Sequence, residues 1–252
     1  MHTKRILKIV GFLSLLFLVT PLFGQIENVD KDKLQLGLRQ ELGENALLFE
    51  KNDGQFAEKF HYRYSSSNAC VDFYEDKILF GLREATTEFD PRQIDNPVQF
   101  DYVTWGIKLV GANNLSIIPD GLDESSPVNF FAKNGKNIKQ RRTSRLRYEN
   151  VYPHIDLVFY TTSKGELKYD FILKKGALLS DIRLKYENVS KLSVSEDKEL
   201  VYYTKWGEIR EAKPFSYRQK NGKEVSISYS VTGEMVQFKS SFNRVEETIV
   251  LD

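Results

Sequence analysis

Two short segments near the middle of the chain alternate strictly between apolar and other residues. The apolar positions are Ile155, Leu157 and Phe159 in the first segment and Leu167, Tyr169, Phe171 and Leu173 in the second. Because strand side chains project with period two, each segment predicts a β-strand with one apolar face. The polar residues 162–165 between them end in Gly, which is typical of a hairpin loop. Residues 146–173 therefore predict a central β-hairpin.

Most of the remaining chain repeats this pattern of short apolar alternations bounded by turn residues. The further predicted strands cover residues 60–64, 69–74, 78–83, 100–110, 115–118, 128–132, 181–187, 192–195, 200–204, 206–209, 215–218, 225–231, 235–239 and 248–251. No long helix is predicted after the N-terminal segment, and no fixed repeat period supports a solenoid or a propeller. The sequence predicts an all-β fold, an antiparallel β-sandwich built from hairpins.

Three segments predict loops, because they are polar, charged or interrupted by proline. They are residues 86–97, 119–127 and 136–147. We expect residues 115–118 to pair with 100–110 across the turn at 111–114. The third loop segment carries six Lys and Arg residues in twelve positions. One interpretation is an anion- or polysaccharide-binding strip; the one we favour is a solvated loop that leads into the central hairpin.

The N-terminal residues predict an export signal. Lys4, Arg5 and Lys8 precede an almost wholly apolar run over residues 9–19, and a break at 21–24 follows. This order is typical of a secretory signal peptide, and the apolar run is short for a membrane span. We predict a signal peptide over 1–24, an N-terminal extension over 25–45 and a single all-β domain over 46–252. An uncleaved N-terminal anchor is the alternative.

Composition and charge narrow the range of possible functions further. The chain is 41% hydrophobic and 13% aromatic, which is enough for a folded core. Its 36 Lys and Arg residues nearly balance 35 Asp and Glu residues, so no global field favours nucleic acid. The single cysteine, Cys70, has no internal disulfide partner, and we expect it to act as a small hydrophobic residue.

Several segments resemble those of one bacterial extracellular domain family. They are residues 147–160 (RYENVYPHIDLVFY), 167–172 (LKYDFI), 207–214 (GEIREAKP), 50–55 (EKNDGQ) and 128–131 (VNFF). The chain is thus similar to an N-terminal domain of large secreted or surface proteins of Bacteroidetes. There the domain commonly precedes β-propeller-type repeats, PKD-like modules and a gliding-motility-type sorting domain.

The resemblance implies an extracellular location but no reaction, since the family has no assigned activity and lends no catalytic residue. His154 stands where the family usually has Gly. Residues 249–252 lie about where the domain itself ends, with no repeats or sorting domain after them. This puts surface attachment through such a domain in doubt for this sequence. A remnant of a longer, adhesin-like protein is one reading of that pattern.

Two carboxylates of the central hairpin are the main candidates for chemistry. Asp156 and Asp170 both alternate onto the face opposite the apolar stripe. As cross-strand neighbours they would form an acid–base pair for a sugar or ligands for Ca²⁺. The alternative, which we favour, is that each pairs with Arg or Lys or caps a turn at the sheet margin.

Three further residues are lower-ranked candidates for a ligand site. His154 follows a proline and is expected in a loop rather than as a base. Tyr202 and Trp206 belong to a set of aromatics that would stack on sugars if exposed, although only one of Tyr202 and Tyr203 can face inward. No metal, nucleotide or hydrolase motif is present, so we expect no metal and no cofactor.

The sequence therefore favours an exported, non-enzymatic structural or adhesion module of the cell envelope or extracellular space. The alternative is a carbohydrate-binding or carbohydrate-active protein that uses the central hairpin carboxylates. Expected partners are other envelope proteins or polysaccharide, with no nucleic acid and no integral membrane span after signal cleavage.

Overall fold

The structure is a computed structural model that describes residues 48–66, 68–86, 99–113, 116–131, 137–162 and 167–252. Within it, the side chains of residues 121–131 and 137–141 are not described. The predicted signal peptide and N-terminal extension lie outside the described residues, as does most of the predicted loop 86–97.

The described residues form antiparallel strands and one short 3₁₀ turn, Leu179–Asp181. The strands are β1 Phe49–Lys51, β2 Tyr62–Ser65, β3 Ala69–Phe73, β4 Lys77–Ala85, β5 Phe100–Leu109, β6 Ile117–Phe131, β7 Asn137–Tyr152, β8 Ile155–Thr161, β9 Leu167–Leu173, β10 Leu184–Glu187, β11 Ser190–Val194, β12 Leu200–Thr204, β13 Gly207–Glu211, β14 Ser216–Arg218, β15 Ser228–Thr232, β16 Met235–Lys239 and β17 Ile249–Leu251. The prediction of an all-β, antiparallel fold is confirmed.

Most strands belong to one large sheet in the order β14-β17-β9-β8-β7-β1-β2-β3-β4-β5-β10-β16-β15, with β6 paired to β7. The two ends of this order are joined by one segment, residues 223–232. Near its start Val225 bonds to Ser216 of β14, and its later residues form β15, which pairs with β16. The sheet therefore closes on itself through this segment.

The core lies between two layers of this closed sheet. Inward side chains of β8 and β9 face those of β4, β5 and β10. Phe159 of β8 packs edge-on against Phe73 of β3 with ring centroids 4.9 Å apart, and Phe171 of β9 lies 6.1 Å from Phe238 of β16. This layered packing of apolar faces is that of a sandwich.

A separate three-stranded sheet, β11-β12-β13, packs on the core. Its buried side chains Leu200, Tyr202 and Ile209 belong to the same hydrophobic cluster as the two layers. Its outer strand β11 is largely exposed. We call these three strands the small sheet and the closed sheet the main sheet.

Two predicted loops are strands in the structure. Residues 119–127 belong to β6, and nearly all of 136–147 belongs to β7. Proline has no backbone N–H to donate to a neighbouring strand. Pro119 and Pro127 are tolerated in β6 because, among the described residues, β6 pairs only with β7, and its opposite edge requires no N–H donors. The pairing of 115–118 with 100–110 was also wrong, since Ile117 pairs with Tyr148 of β7.

The basic segment is a strand because neighbouring strands supply acidic partners for its arginines. Arg142 lies 2.9 Å from a carboxylate oxygen of Glu50 on β1 and is almost fully buried. Arg147 and Arg145 lie 3.4 and 3.9 Å from Asp120 of β6. Opposite charges on facing strands stabilise a strand segment that is basic rather than apolar. The interpretation as a solvated loop was therefore wrong.

Candidate functional site

The two candidate carboxylates lie on the same face of the central hairpin but do not face each other directly. In the register of β8 and β9, Asp156 is opposite Ile172 and Asp170 is opposite Val158. Both alternate with core residues, so the prediction that they lie opposite the apolar stripe is confirmed. The two aspartates are therefore diagonal neighbours across the two strands. Each carboxylate makes its contacts with other residues rather than with the other carboxylate.

The face that carries them extends across β8, β9, β17 and β14. We call it the outer hairpin face and define it by Asp156, Tyr160, Asp170, Tyr217 and Asp252. Tyr217 is opposite Val250, and Leu251 is opposite Phe171, so Asp252 follows beside Asp170.

Internal partners occupy both oxygens of Asp156. Arg147 Nη1 donates to Oδ2 at 3.1 Å, Lys174 Nζ donates to Oδ1 at 2.8 Å, and the Asn150 N–H donates to Oδ1 at 2.9 Å. The side chain is only 3% exposed. Burial alone would raise the pKa of Asp156, but the Asn150 N–H together with Lys174 and Arg147 lowers it below its ordinary value.

A bulge in β7 brings the backbone to this carboxylate. The register between β7 and β8 shifts between Tyr148 and Tyr152, and Asn150 within the shift has φ +48°. Asn tolerates this left-handed conformation better than most residues. Its carbonyl accepts a hydrogen bond from Asn113 Nδ2 at 2.7 Å, and its N–H points to Asp156. Asp156 therefore anchors the bulge. Its ion pairs with Arg147 and Lys174 are those that the favoured alternative expected for it.

Asp170 has a different environment. Its oxygen Oδ1 accepts a hydrogen bond from the Tyr160 hydroxyl at 3.2 Å. Burial first, and then the nearby charge of Asp252, raise the pKa of Asp170 to about 6, against the opposing effects of Tyr160, Lys168 and Arg145. Burial also raises the pKa of Asp252. These two carboxyl groups disfavour each other's ionisation.

Aromatic side chains border this pair. The rings of Phe215 and Tyr217 lie 5.7 Å apart, and Phe215 is 47% exposed. The backbone of Phe215 exchanges two hydrogen bonds with Asp252, each 2.8 Å long, which places Phe215 directly opposite Asp252, the neighbour of Asp170. An exposed ring next to carboxyl groups is an arrangement that can stack on and hydrogen-bond a sugar.

His154 occupies the turn between β7 and β8, as predicted. It is exposed and has φ +62°, a region that glycine enters without steric cost. Its carbonyl accepts the Lys174 N–H at 2.9 Å, so its described contact is made by the backbone. A glycine at this position would adopt the same φ with less strain.

The structure does not bring Tyr202 and Trp206 to the outer hairpin face. Tyr202 is 1% exposed and points into the core, whereas Tyr203 is the partly exposed member of the pair. Tyr202 therefore cannot stack on a surface ligand. Trp206 is half-buried, and its Nε1 donates to Asp101 of β5 at 3.1 Å. With Lys205, which also donates to Asp101, it attaches the small sheet to the main sheet.

Sequence reasoning missed a buried carboxyl group, Glu211 of β13. The side chain is 1% exposed, and its Oε1 accepts hydrogen bonds from the hydroxyl groups of Tyr186 and Tyr202, each at 3.0 Å. Burial raises the pKa of Glu211 to about 7, although both tyrosines oppose the shift. The available signal was the alternation of β13, because an inward Ile209 places Glu211 on the same face.

The described residues contain no group of three or more His, Cys, Asp and Glu side chains arranged to hold a metal ion. Within the same residues, no helix has the length and hydropathy needed to cross a membrane. Cys70 is partly buried, and burial raises the pKa of its thiol, which disfavours the reactive thiolate.

Comparison with protein families gives a match over most of the chain. A family described as a domain of unknown function, DUF7948, matches residues 49–252. No curated protein matches the chain, and no solved structure does. The match covers every strand of both sheets.

Replacing Asp156 by Asn should destabilise the fold at neutral pH. The change removes the charge that Arg147 and Lys174 neutralise, and we expect the free energy of unfolding to fall by about 1–3 kcal/mol at pH 7 in urea titrations. Because the folded pKa of Asp156 is lowered, its contribution is present above the unfolded value near 3.8 and is lost as pH falls below it. The difference between variant and parent should therefore shrink at pH 3.

The matched control for this experiment is Asp76→Asn. Asp76 makes a single exposed ion pair with Lys108 at 3.5 Å, so its loss should cost less than about 1 kcal/mol. An equal decrease in the free energy of unfolding for the two variants would contradict the anchoring role of Asp156.

A carbon-13 NMR titration of the side-chain carboxyl groups should separate the two hairpin aspartates. We expect Asp170 to titrate with a midpoint of about 6 and Asp156 below its ordinary value. Asp252→Asn should lower the Asp170 midpoint, since it removes the nearby charge, while burial keeps it above the ordinary value. An Asp170 midpoint that is the same in the parent protein and in Asp252→Asn would show that the two carboxyl groups are not coupled.

Proposed function

Since the chain belongs to the family described as a domain of unknown function, DUF7948, we propose that it is an exported, non-enzymatic β-module with a structural or adhesive role. In this proposal it acts in the cell envelope or outside the cell. Its partners are other envelope proteins or polysaccharide.

The observation that carries the proposal is the state of Asp156, the best-placed carboxylate of the central hairpin. Three internal donors hold it, and it anchors a bulge of β7. A group committed in this way is a structural element of the sheet rather than an acid or base free to act on a substrate. The closure of the main sheet also supports a structural role, because a closed sheet is a stiff scaffold.

The N-terminal sequence supports the export part of the proposal. A basic start, an apolar run and a break before Gln25 are the parts of a cleavable signal. The resemblance to an extracellular domain family agrees with it.

Expression of the full chain in a Gram-negative host, followed by fractionation and N-terminal sequencing, tests export. We expect the protein outside the cytoplasm with a mature N-terminus at Gln25. A variant with Leu15→Arg and Leu16→Arg should stay in the cytoplasm with its N-terminal segment intact, because two charges interrupt the apolar run. Cytoplasmic parent protein that retains residues 1–24 would contradict the proposal.

A second candidate function is carbohydrate binding at the outer hairpin face. The observation that favours it is the exposed Phe215 ring, which packs against Tyr217 and lies opposite Asp252, the neighbour of Asp170. Asp170, unlike Asp156, has a hydroxyl group as its described hydrogen-bond donor, so a ligand hydroxyl would find an acceptor there.

A glycan array and polysaccharide pull-down on the exported protein would distinguish the two candidates. If the outer hairpin face binds sugar, Phe215→Ala and Asp170→Asn should each weaken binding about tenfold or more, since each ring or hydrogen bond contributes about 1–3 kcal/mol. The matched control is Tyr102→Ala, which removes a 56% exposed ring from β5 and should leave binding unchanged. If the folded parent protein binds no sugar, the proposal of a structural module stands, and the partner to search for is a protein.

A further inference from the structure

Among the described residues, polar contacts attach the small sheet to the main sheet at two places. One is at the turn between β12 and β13, where Lys205 and Trp206 bind Asp101 of β5. The other is in the core, where Tyr186 of β10 donates its hydroxyl to Glu211 of β13. The rings of Tyr186 and Tyr202 also pack edge-on with centroids 5.1 Å apart. Glu211 thus lies at the buried contact between the two sheets.

The surroundings of Glu211 suit a neutral carboxyl group. The titratable side chains that face it are Tyr169 of β9, Tyr186 of β10, Tyr202 of β12 and Tyr229 of β15. Burial raises the pKa of each of these hydroxyl groups well above 10, so all four are neutral below that pH. In the part of the chain that the structure describes, no cation is among the groups that shift the pKa of Glu211.

The hydrogen bonds of Glu211 are also asymmetric. Oε1 accepts both tyrosine hydroxyl groups, whereas Oε2 is buried and has no donor among the described residues. An ionised carboxylate has two charged oxygens that both need donors, and a buried charge without a counter-ion is costly. A protonated carboxyl group leaves one oxygen as the acceptor, which matches what the tyrosines provide.

We propose that Glu211 is a proton-controlled clasp: protonated, it holds the small sheet on the main sheet, and deprotonation releases β11, β12 and β13 from the core. This goes beyond the proposed function, because it makes the exposure of one side of the sandwich depend on pH. The side chain that carries the switch belongs to the small sheet, so the small sheet is the part that opens.

The direction of the pH effect follows from proton binding. In the closed state Glu211 has a pKa of about 7, and in an open, hydrated state it returns to its ordinary value of 4.5. The closed state therefore binds more protons than the open state between these values, and its stability falls as pH rises through the window. The opening constant should rise about tenfold per pH unit between roughly pH 5 and 7 and level off above.

Hydrogen–deuterium exchange of the full chain, corrected for the intrinsic pH dependence of exchange, tests the clasp. Between pH 5 and pH 7.5 we expect protection of amides in residues 190–211 to fall roughly 50-fold. Protection in β8 and β9 should not change in parallel. Glu211→Gln keeps the shape and the acceptor oxygen but cannot ionise, so its protection should be independent of pH.

The matched control is Glu208→Gln on the same strand. Glu208 interacts with Tyr203 and Arg210 on the partly exposed face of β13, and the Tyr203 hydroxyl holds the pKa of Glu208 below its ordinary value. This variant should retain the full pH dependence of residues 190–211.

Three results would overturn the clasp. They are protection of residues 190–211 that does not depend on pH, pH dependence that survives Glu211→Gln, and loss of protection in β8 and β9 to the same extent, which would mean global unfolding. If Glu211→Gln does not fold, carbon-13 titration of Glu211 in the parent protein decides. A midpoint near 7 supports the clasp, and one below 5 rejects it.

Discussion

The strict alternation of β8 and β9 is the constraint on which the rest of the fold depends. It places three side chains of β8 and four of β9 on the inner face, where they meet the opposite layer of the main sheet. A slip of one residue in this register would turn every one of these side chains to the outside and bring Asp156 and Asp170 into the core. The bonds from Asn150, Arg147 and Lys174 to Asp156 form in the observed register and would be lost in a slipped one, so they stabilise the observed register.

The parts of the fold that follow from local pattern were predictable, and those that depend on distant partners were not. The central hairpin, the β12–β13 hairpin and the β15–β16 hairpin each have apolar alternation and a turn signal of their own. β6 contains two prolines and β7 a bulge and many charges, and residues 119–127 and 136–147 of these strands read as loops because their stabilising partners lie elsewhere. Arg142 finds Glu50 on a strand 92 residues away, and no local rule reveals that pair.

The candidate site shows the same division. Alternation placed Asp156 and Asp170 on one face but could not distinguish their environments. Their difference arises from the bulge at Asn150 in one case and from Asp252 of β17 in the other. Tyr202 and Glu211 were harder to interpret, since a tyrosine or glutamate in a strand gives no sign of whether the core offers it a polar partner. The hydroxyl groups of Tyr186 and Tyr202 provide that partner only after three strands have come together.

The position of β17 within the main sheet has a consequence for the order in which the molecule can fold. Residues 249–251 lie between β9 and β14 and complete the ladder beside the central hairpin. The sheet also joins β1 to β7 and β5 to β10, pairings that span many residues of chain. Such long-range contacts make folding slow, because large loops must close before the strands gain from pairing. A chain emerging from the ribosome therefore cannot complete the main sheet until residues 249–251 are free to pair with β9 and β14.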